Sequence, residues 1–553
     1  MKHMKDSKFI SGALAGSITS LPVMAILYLG NQLFNLPFVP FDAFDWLARV
    51  LPGDVITIGI DAIVSLITAF NLGDTSQTAK GIEQFMAAVM FILFGASLGI
   101  LIAWGTHAWQ NIRQWVGSLL GFVAFLLVMI VELSLGSLVQ PAVDLLWLTL
   151  LFVGWGWIIG KFLIGLEPTL SQEQITDLPQ TSRRDVLIRL AASSAGIAIG
   201  AFGLGRLLGP SRQVTGASRP LEEPAPNITA KSTVQPAPST PPPSTLPEQT
   251  AAAVTRDQIA PAPGTRLELT PNDDFYRIDI NTRPLSISEN DWQLEVTGLF
   301  ERSVNLSLEE LMAFPSVTQP ITLSCISNRI GGDLIGTSNW TGLRLRDLME
   351  EIGLQPEARS LLVEAEDGFH ETVVMKDILD PRTLLVYGMN GETLPADHGF
   401  PLRIYIPDRY GMKQPKWITR ITAVDNQPEG YWVRRGWSLE ARPQIVSVID
   451  SVATDDPSED GLIPIGGIAW AGERGISKVE LQFDDDSWVE ATLRTPPLSP
   501  LTWVQWRYDW DAIPGSYDIR VRATDGMGQL QIEDVSPVRP DGATGYHSTS
   551  VRI

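Results

Sequence analysis

The sequence predicts three structural parts in series: a helical membrane anchor, a mixed α+β domain and a C-terminal β-sandwich. Three observations predict them. The chain is strongly apolar to about residue 208 and carries five stretches of near-spanning length. A tract rich in Pro, Ala, Ser and Thr follows at 209–264. Beyond it, strand-like runs alternate with short helical ones over 265–430, and from 440 to 553 only strand patterns recur. A length of 553 residues is ample for several domains.

The five apolar stretches lie at 9–29, 85–104, 115–135, 145–166 and 190–208. A helix needs roughly 20 residues to cross a bilayer. A sixth stretch, 55–70, is shorter, carries Asp61 and reads as interfacial or re-entrant. Lys2, Lys5 and Lys8 precede the first span, Arg113 follows the second, and Arg183 and Arg184 follow the fourth. Five spans place all of these on the cytoplasmic side, so the N-terminus is expected in the cytoplasm and everything beyond 208 outside the cell membrane. The segment Thr181-Ser182-Arg183-Arg184-Asp185-Val186-Leu187, with a modest Gly- and Ala-rich apolar stretch after it, resembles a twin-arginine export signal. A haem b held by two imidazoles needs a pair of His in the membrane part, which has only His3 and His107, so no haem is expected there. The spans also lack paired charges of the kind that mark an ion path, so their expected role is anchoring or docking.

The tract Pro236-Ala-Pro-Ser-Thr-Pro-Pro-Pro-Ser-Thr245 cannot bury a core and reads as an extended tether. In the α+β part, strand-like runs fall at 292–299, 321–324, 361–366, 384–387 and 403–406. Ser307-Leu-Glu-Glu310 is a capping-box pattern, and 343–352 has helical periodicity. In the last part the runs 444–449, 478–483, 504–510 and 516–523, with Gly, Pro and Asp between them, read as a sandwich of about seven strands.

The net charge of −21 argues against a nucleic-acid partner, since phosphate neutralisation needs clustered Lys and Arg. A lone cysteine, Cys325, excludes an intrachain disulfide and a multi-thiolate zinc site. Cys325 ends a strand and enters a polar loop, Ser327-Asn328-Arg329, where a nearby Arg329 would favour the thiolate. A thiolate suits a soft or high-valent metal. Two further segments, Asp397-His398-Gly-Phe-Pro-Leu-Arg403 and Tyr410-Gly-Met-Lys413-Gln-Pro-Lys416-Trp417-Ile-Thr-Arg420, gather a His and several cations. That set suits a phosphorylated, anionic ligand, or else forms a basic surface loop.

Several motifs together resemble the sulfite oxidase family over about 265–430. They are Cys325 with Asn328-Arg329, then Trp340-Thr-Gly-Leu-Arg-Leu-Arg-Asp-Leu348. Gly388-Met-Asn-Gly-Glu-Thr-Leu-Pro-Ala-Asp-His-Gly-Phe-Pro-Leu-Arg403, Pro415-Lys-Trp-Ile-Thr-Arg-Ile421 and Thr270-Pro-Asn-Asp-Asp-Phe-Tyr276 complete them. The resemblance implies a molybdenum held by a molybdopterin dithiolene, with Cys325 as the protein's thiolate ligand. It implies pterin contacts from Asp273, Tyr276 and Arg277, and phosphate-side contacts from His398, Arg403, Gln414, Pro415 and Lys416. Asp367 is implied as a further contact, and Tyr387 and Arg329 as catalytic groups near the metal. The final sandwich is similar to the immunoglobulin-like domain that follows in that family and often mediates homodimers.

The function implied is two-electron oxygen-atom transfer on a small, sulfur-containing substrate, with electrons leaving through a separate cytochrome or quinone-linked protein. The chain departs from the family pattern at two points. Arg277-Ile-Asp-Ile-Asn281 stands where an Arg-Asn-His follows the opening motif, so the substrate-side cation is either missing or shifted to Arg277 or Arg283, and Ile330 replaces a second Arg after the cysteine. A less cationic pocket keeps open a sulfoxide reductase of the same fold, and also a tethered binding module without catalysis.

Overall fold

The computed structural model describes residues 2–70, 73–138, 140–165, 183–208, 219–221 and 259–553. Most of the tether, and Thr181-Ser182 of the twin-arginine-like segment, lie outside the described residues. The chain divides into two compact units, residues 1–215 with 279–284, and residues 216–278 with 285–553.

The first unit is helical: α1 Lys2–Phe34, α2 Val39–Val50, α3 Gly53–Phe70, α4 Thr75–Ala108, α5 Val116–Leu135, α6 Pro141–Gly165 and α7 Arg183–Leu208. Among the described residues, five helices are long and apolar enough to cross a membrane: Lys8–Phe34, Thr75–Ala108, Val116–Leu135, Pro141–Gly165 and Ile188–Leu208. The helix over the 55–70 stretch, α3, is not among them. The second span begins ten residues before its apolar run. Asp74 caps α4 by accepting the Gln77 N–H at 2.7 Å, so a polar first turn extends the helix. Glycines set the helix contacts: a Cβ at Gly16 would overlap the Gly95 carbonyl, and one at Gly121 the Phe152 carbonyl. Such small residues let the helix backbones approach closely.

Sequence periodicity missed α2, whose Pro40 sits in its first turn and whose Asp42 and Asp45 are buried. Those two carboxylates hold the hexapeptide 279–284, which belongs to this unit. Thr282 donates its N–H to Asp45 Oδ1 at 2.9 Å. Lys80 Nζ donates to the Asp279 and Asn281 carbonyls at 2.9 and 2.8 Å. Arg283 reaches Asn31 Oδ1 at 3.1 Å and Asp42 Oδ1 at 3.4 Å, and lies over the rings of Phe38 and Phe41. Burial pushes the Asp45 carboxyl up to about 7, against the Thr282 N–H that favours its ionised form.

The second unit contains β1 Leu294–Gly298, β2 Val304–Leu306, β3 Ser316–Ser324, β4 Ile335–Arg344, β5 Ser360–Ala365, β6 His370–Val374, β7 Leu384–Met389, β8 Glu392–Thr393, β9 Arg403–Tyr405 and β10 Ile418–Val424. One mixed sheet runs β2-β1-β10-β5-β6, with only the β1–β10 pair parallel. A second, antiparallel sheet runs β3-β4-β7-β8, with β9 on β7. The capping box at Ser307 is present, with Glu310 N–H donating to Ser307 Oγ and Ser307 N–H donating to the Glu310 carboxylate. The core joins both sheets through Leu294, Val296, Ile321, Trp340, Leu361, Leu385, Ile404 and Ile421. At 219–221 the chain pairs with the β8 hairpin, Leu221 N–H donating to the Gly391 carbonyl at 3.0 Å.

The rest is β throughout: β11 Val446–Val452, β12 Ile463–Trp470, β13 Ile476–Phe483, β14 Val489–Glu490, β15 Thr492–Leu493, β16 Val504–Trp510, β17 Ser516–Asp525 and β18 His547–Arg552. Two four-stranded antiparallel sheets, β11-β12-β16-β15 and β14-β13-β17-β18, share one apolar core that includes Ile465, Trp506, Val479, Leu481, Ile519 and Val521. Three of the four strand-like runs of the sequence fall within these strands, and the run 444–449 starts two residues before β11. The long strand β17 alternates buried and less buried residues, as a half-covered antiparallel strand must.

Candidate molybdopterin site

Cys325 follows β3 and is 7% exposed. Its N–H donates to the Leu334 carbonyl at 2.9 Å, and its Sγ lies 3.0 Å from Ser327 Oγ. Burial pushes the thiol up; Ser327 and Lys416 act against it. Lys416 is a cation that favours the thiolate. Arg329 lies in the turn that follows, its carbonyl accepting the Gly332 N–H at 2.9 Å.

The phosphate-side residues converge. His398 is buried in a 3₁₀ turn, Ala396–His398, with Nε2 3.1 Å from the Asn272 carbonyl and its ring edge-on to Phe275. A carbonyl partner places the ring proton on Nε2. Arg403, on β9, donates to the His398 carbonyl at 3.1 Å and lies 4.9 Å from the Trp340 ring centre. Arg403 is 5% exposed, and among the described residues no carboxylate pairs with it. Lys416 donates to the Asp397 carbonyl at 2.9 Å and stands over Trp417. Arg277 comes within 3.9 Å of Asp397. Burial, with Lys416, Arg403 and Arg277 nearby, drives His398 down to about 3, and burial brings Arg403 down to about 10.

Gln414 is buried, donates from Nε2 to the Ile406 and Arg409 carbonyls, and leaves its Oε1 without a hydrogen-bond partner. The Pro415 carbonyl accepts the Ile404 N–H and ties this loop to β9. Asp367 is buried in the β5–β6 turn, accepting the Phe369 N–H. The next turn residue back, Glu366, donates its N–H to the Trp417 carbonyl. Asp273 is exposed on the turn Asn272–Asp274. A buried Arg403 with no matching carboxylate among the described residues, half-buried Arg277 and Lys416, and an unfilled acceptor on Gln414 fit an anionic, hydrogen-bonding group such as a pterin phosphate.

Two expected placements change. Tyr387 does not approach Cys325. Its neighbour Val386 pairs with Gly342, which pairs with Val317, and its hydroxyl bonds Ser316. That end of β3 lies roughly 25 Å from the cysteine at about 3.3 Å per residue. Tyrosines that do feel Cys325 are Tyr276 and Tyr410. A Cβ at Gly411 would stand 3.4 Å from the Tyr276 hydroxyl and 3.5 Å from the Ser324 carbonyl. Burial raises Tyr276 well above its ordinary value, the nearby Cys325 adds to this and Arg403 opposes it, so the hydroxyl keeps its proton. Arg283, one of two candidates for the substrate-side cation, is engaged by Asn31 and Asp42 in the helical unit, which leaves Arg277.

Sequence reading also missed the supports of this site. Asn390, at positive φ in the β7–β8 turn, donates to the Thr270 carbonyl and to Asn272 Oδ1, and so fixes the turn whose carbonyl holds His398. The Met-Asn-Gly turn triplet was its only signal. Behind the Gln414 loop, buried Lys413 pairs with the fully buried Glu371 at 2.7 Å.

Residues 281–432 match the family described as oxidoreductase molybdopterin binding domain. The uncharacterized oxidoreductase YuiH of Bacillus subtilis is 33% identical over 152 residues, which cover 75% of that protein and 28% of this chain. The chain belongs to the sulfite oxidase-type molybdopterin oxidoreductase family. Within this family, the mitochondrial sulfite oxidase of Drosophila melanogaster is 27% identical over 341 residues, 51% of this chain and 59% of that protein. The sulfite oxidase of Arabidopsis thaliana is 25% identical over 348 residues, 52% of this chain and 88% of that protein. The chain thus spans little more than half of the length of the Drosophila relative. It is an oxidoreductase that carries a molybdopterin-binding domain.

A family member with this cradle should lose stability in acid when its cofactor is absent. His398 binds a proton in the unfolded chain below about 6.5 but not in the folded one until about 3. The unfolded state therefore holds more protons across that window, and stability falls as pH drops through it, by up to about 1.4 kcal/mol per pH unit. Denaturant melts of cofactor-free protein at pH 7, 6 and 5 should show this slope, and His398→Asn should reduce it, with His370 and His547, also pushed down by burial, contributing the remainder.

Proposed function

We propose that the chain is a membrane-anchored molybdenum-cofactor enzyme that carries out two-electron oxygen-atom transfer on a small, sulfur-containing substrate such as sulfite. In this reading the N-terminus is cytoplasmic, and the catalytic part (about 265–430) lies outside the membrane beyond the 209–264 tether. The segment at Arg183-Arg184 acts as an export address, and electrons leave to a separate cytochrome or quinone-linked protein. The last part, 440–553, is an immunoglobulin-like sandwich suited to pairing two copies of the chain. The observation that carries the reading is Arg403: a buried guanidinium with no carboxylate is costly unless an anion comes to it.

The molybdenum–pterin group, when bound, supplies the two-electron redox change and the transferable oxygen. The chain's residues do the rest. Cys325 would give the thiolate ligand, with Lys416 favouring the ionised form against the burial that pushes the thiol up. His398, Arg403, Gln414, Pro415 and Lys416 hold the pterin and its phosphate side, with Arg277, Asp273 and Asp367 on its flank. Tyr276, keeping its proton, offers an O–H donor beside the thiolate. Arg329 and Arg277 attract the substrate. Ile330 and the engagement of Arg283 leave fewer cations than a dianion needs in a dry pocket, and this favours a second reading, reduction of a neutral sulfoxide.

Metal and pterin analysis of the purified chain, with sulfite and methionine sulfoxide assayed side by side, tests both. Sulfite oxidation supports the first reading, sulfoxide reduction the second, and a folded chain without molybdenum sinks both. Arg403→Met probes the carrying observation. It should strip the cofactor while making the cofactor-free protein about 1–3 kcal/mol more stable, because an uncompensated buried charge is gone. Equal molybdenum content in the variant would refute the role.

A further inference from the structure

The turn after Cys325 is held from outside by the last strand of the chain. His547, the first residue of β18, pairs with Val521 and accepts the Ile449 N–H at Nδ1, 3.0 Å away. A neutral ring that accepts at Nδ1 carries its proton on Nε2. The opposite edge of the ring, Cδ2 and Nε2, lies hard against Gly331, where a Cβ would overlap both atoms. Gly331 has φ +72° and needs glycine for its backbone as well as for this contact. On the turn's other side a Cβ at Gly332 would overlap Asn328 Oδ1, which accepts the Leu334 N–H at 3.0 Å. The Asn328 N–H in turn donates to the Cys325 carbonyl at 3.1 Å. The turn carrying Arg329 is thus clamped between its own Asn328 and a side chain delivered by the β-rich part.

We infer that His547 is a positioning residue for the Ser327–Gly332 turn, so that the C-terminal strands, beyond any role in pairing two chains, set the substrate-facing side of the site. The inference rests on the reading of Cys325 and Arg329 as site residues. His547 touches neither; it acts through Gly331. A turn pressed on both sides holds its side chains within narrow limits, and a displacement of about 1 Å at such a point costs substrate positioning more than cofactor binding.

The test uses the full-length chain in detergent. His547→Asn keeps an acceptor for the Ile449 N–H and removes the ring from Gly331. Amide exchange across 327–333, read by mass spectrometry, should quicken about tenfold in this variant, with molybdenum content unchanged. With sulfite and ferricyanide, KM should rise several-fold while kcat stays within about twofold. Gly331→Ala is the second variant. It drives a methyl into the ring from the other side, so exchange should rise both in the turn and at Ile449, and this response should vanish when Gly331→Ala is combined with His547→Asn. Unchanged exchange in His547→Asn, or an equal Gly331→Ala effect in both backgrounds, overturns the inference. A complete lack of turnover with sulfite in the parent would count against the proposed function instead, and the exchange data would still decide this point.

Discussion

Cys325→Ser is expected to leave a folded protein with a lost or altered molybdenum signature and turnover lower by roughly a hundredfold or more, a loss at least as large as that from removing a group that merely supports a metal ligand. Serine nearly matches the volume of cysteine, and Ser327 Oγ, 3.0 Å from the thiol, is placed to accept its hydroxyl, so the fold has little reason to change. What changes is the ligand. A hydroxyl gives up its proton far less readily than a thiol, and a nearby cation such as Lys416 does not close that gap. Metal analysis and the visible and spin-resonance spectra of the variant check this directly. A variant that keeps both metal and spectrum would remove Cys325 from the metal.

The second large effect concerns stability. Lys413→Met should destabilise the protein by about 3–5 kcal/mol, since it strands Glu371 as an uncompensated buried carboxylate. Glu371 is fully buried, burial already raises it, and its Oε2 has no hydrogen-bond partner. No apolar rearrangement offers relief, because Gly430 packs directly against the carboxylate and any side chain there would overlap it. Replacing both members, Lys413→Met with Glu371→Leu, should recover most of the loss. Thermal melts of the two variants decide it: a double variant as unstable as the single one would show that the pair contributes more than mutual neutralisation. Because Lys413 directly precedes Gln414, cofactor retention should follow the same order.

Much of this was legible in residue patterns. Five long apolar helices, the capping box at Ser307 and the strand runs of the final part all have local causes: apolar length, an N-cap with its reciprocal Glu, and period-two alternation. The proposed anion-binding set was legible as a proposal because His398, Arg403, Gln414 and Lys416 sit in two short segments whose residue types suit a phosphate. What escaped depends on pairing across long separations. Tyr387 was placed near the metal by its neighbours in sequence, but the β3–β4–β7 register carries it to the far end of the sheet, while Tyr276 arrives from an irregular opening segment that no periodicity places. The pairing of Lys413 with Glu371 joins a loop to a strand 42 residues away. Helix α2 has a good amphipathic pattern but hides its acids, Asp42 and Asp45, on the buried side, where a reading of apolar faces does not look.

The position of β10 has a consequence for the order in which the protein is made. β10 enters between β1 and β5, pairing in parallel with a strand more than a hundred residues earlier and antiparallel with the other. Local hairpins such as β3–β4 and β5–β6 close early, whereas so distant a pairing waits for its loop entropy to be met. Until residues 418–424 leave the ribosome, the strands on either side present open edges, and the turn holding Lys416 and Trp417 has no base to stand on. The anion cradle is therefore expected to be the last part of the catalytic region to form during synthesis, so cofactor can be captured only by a chain whose α+β region is already complete.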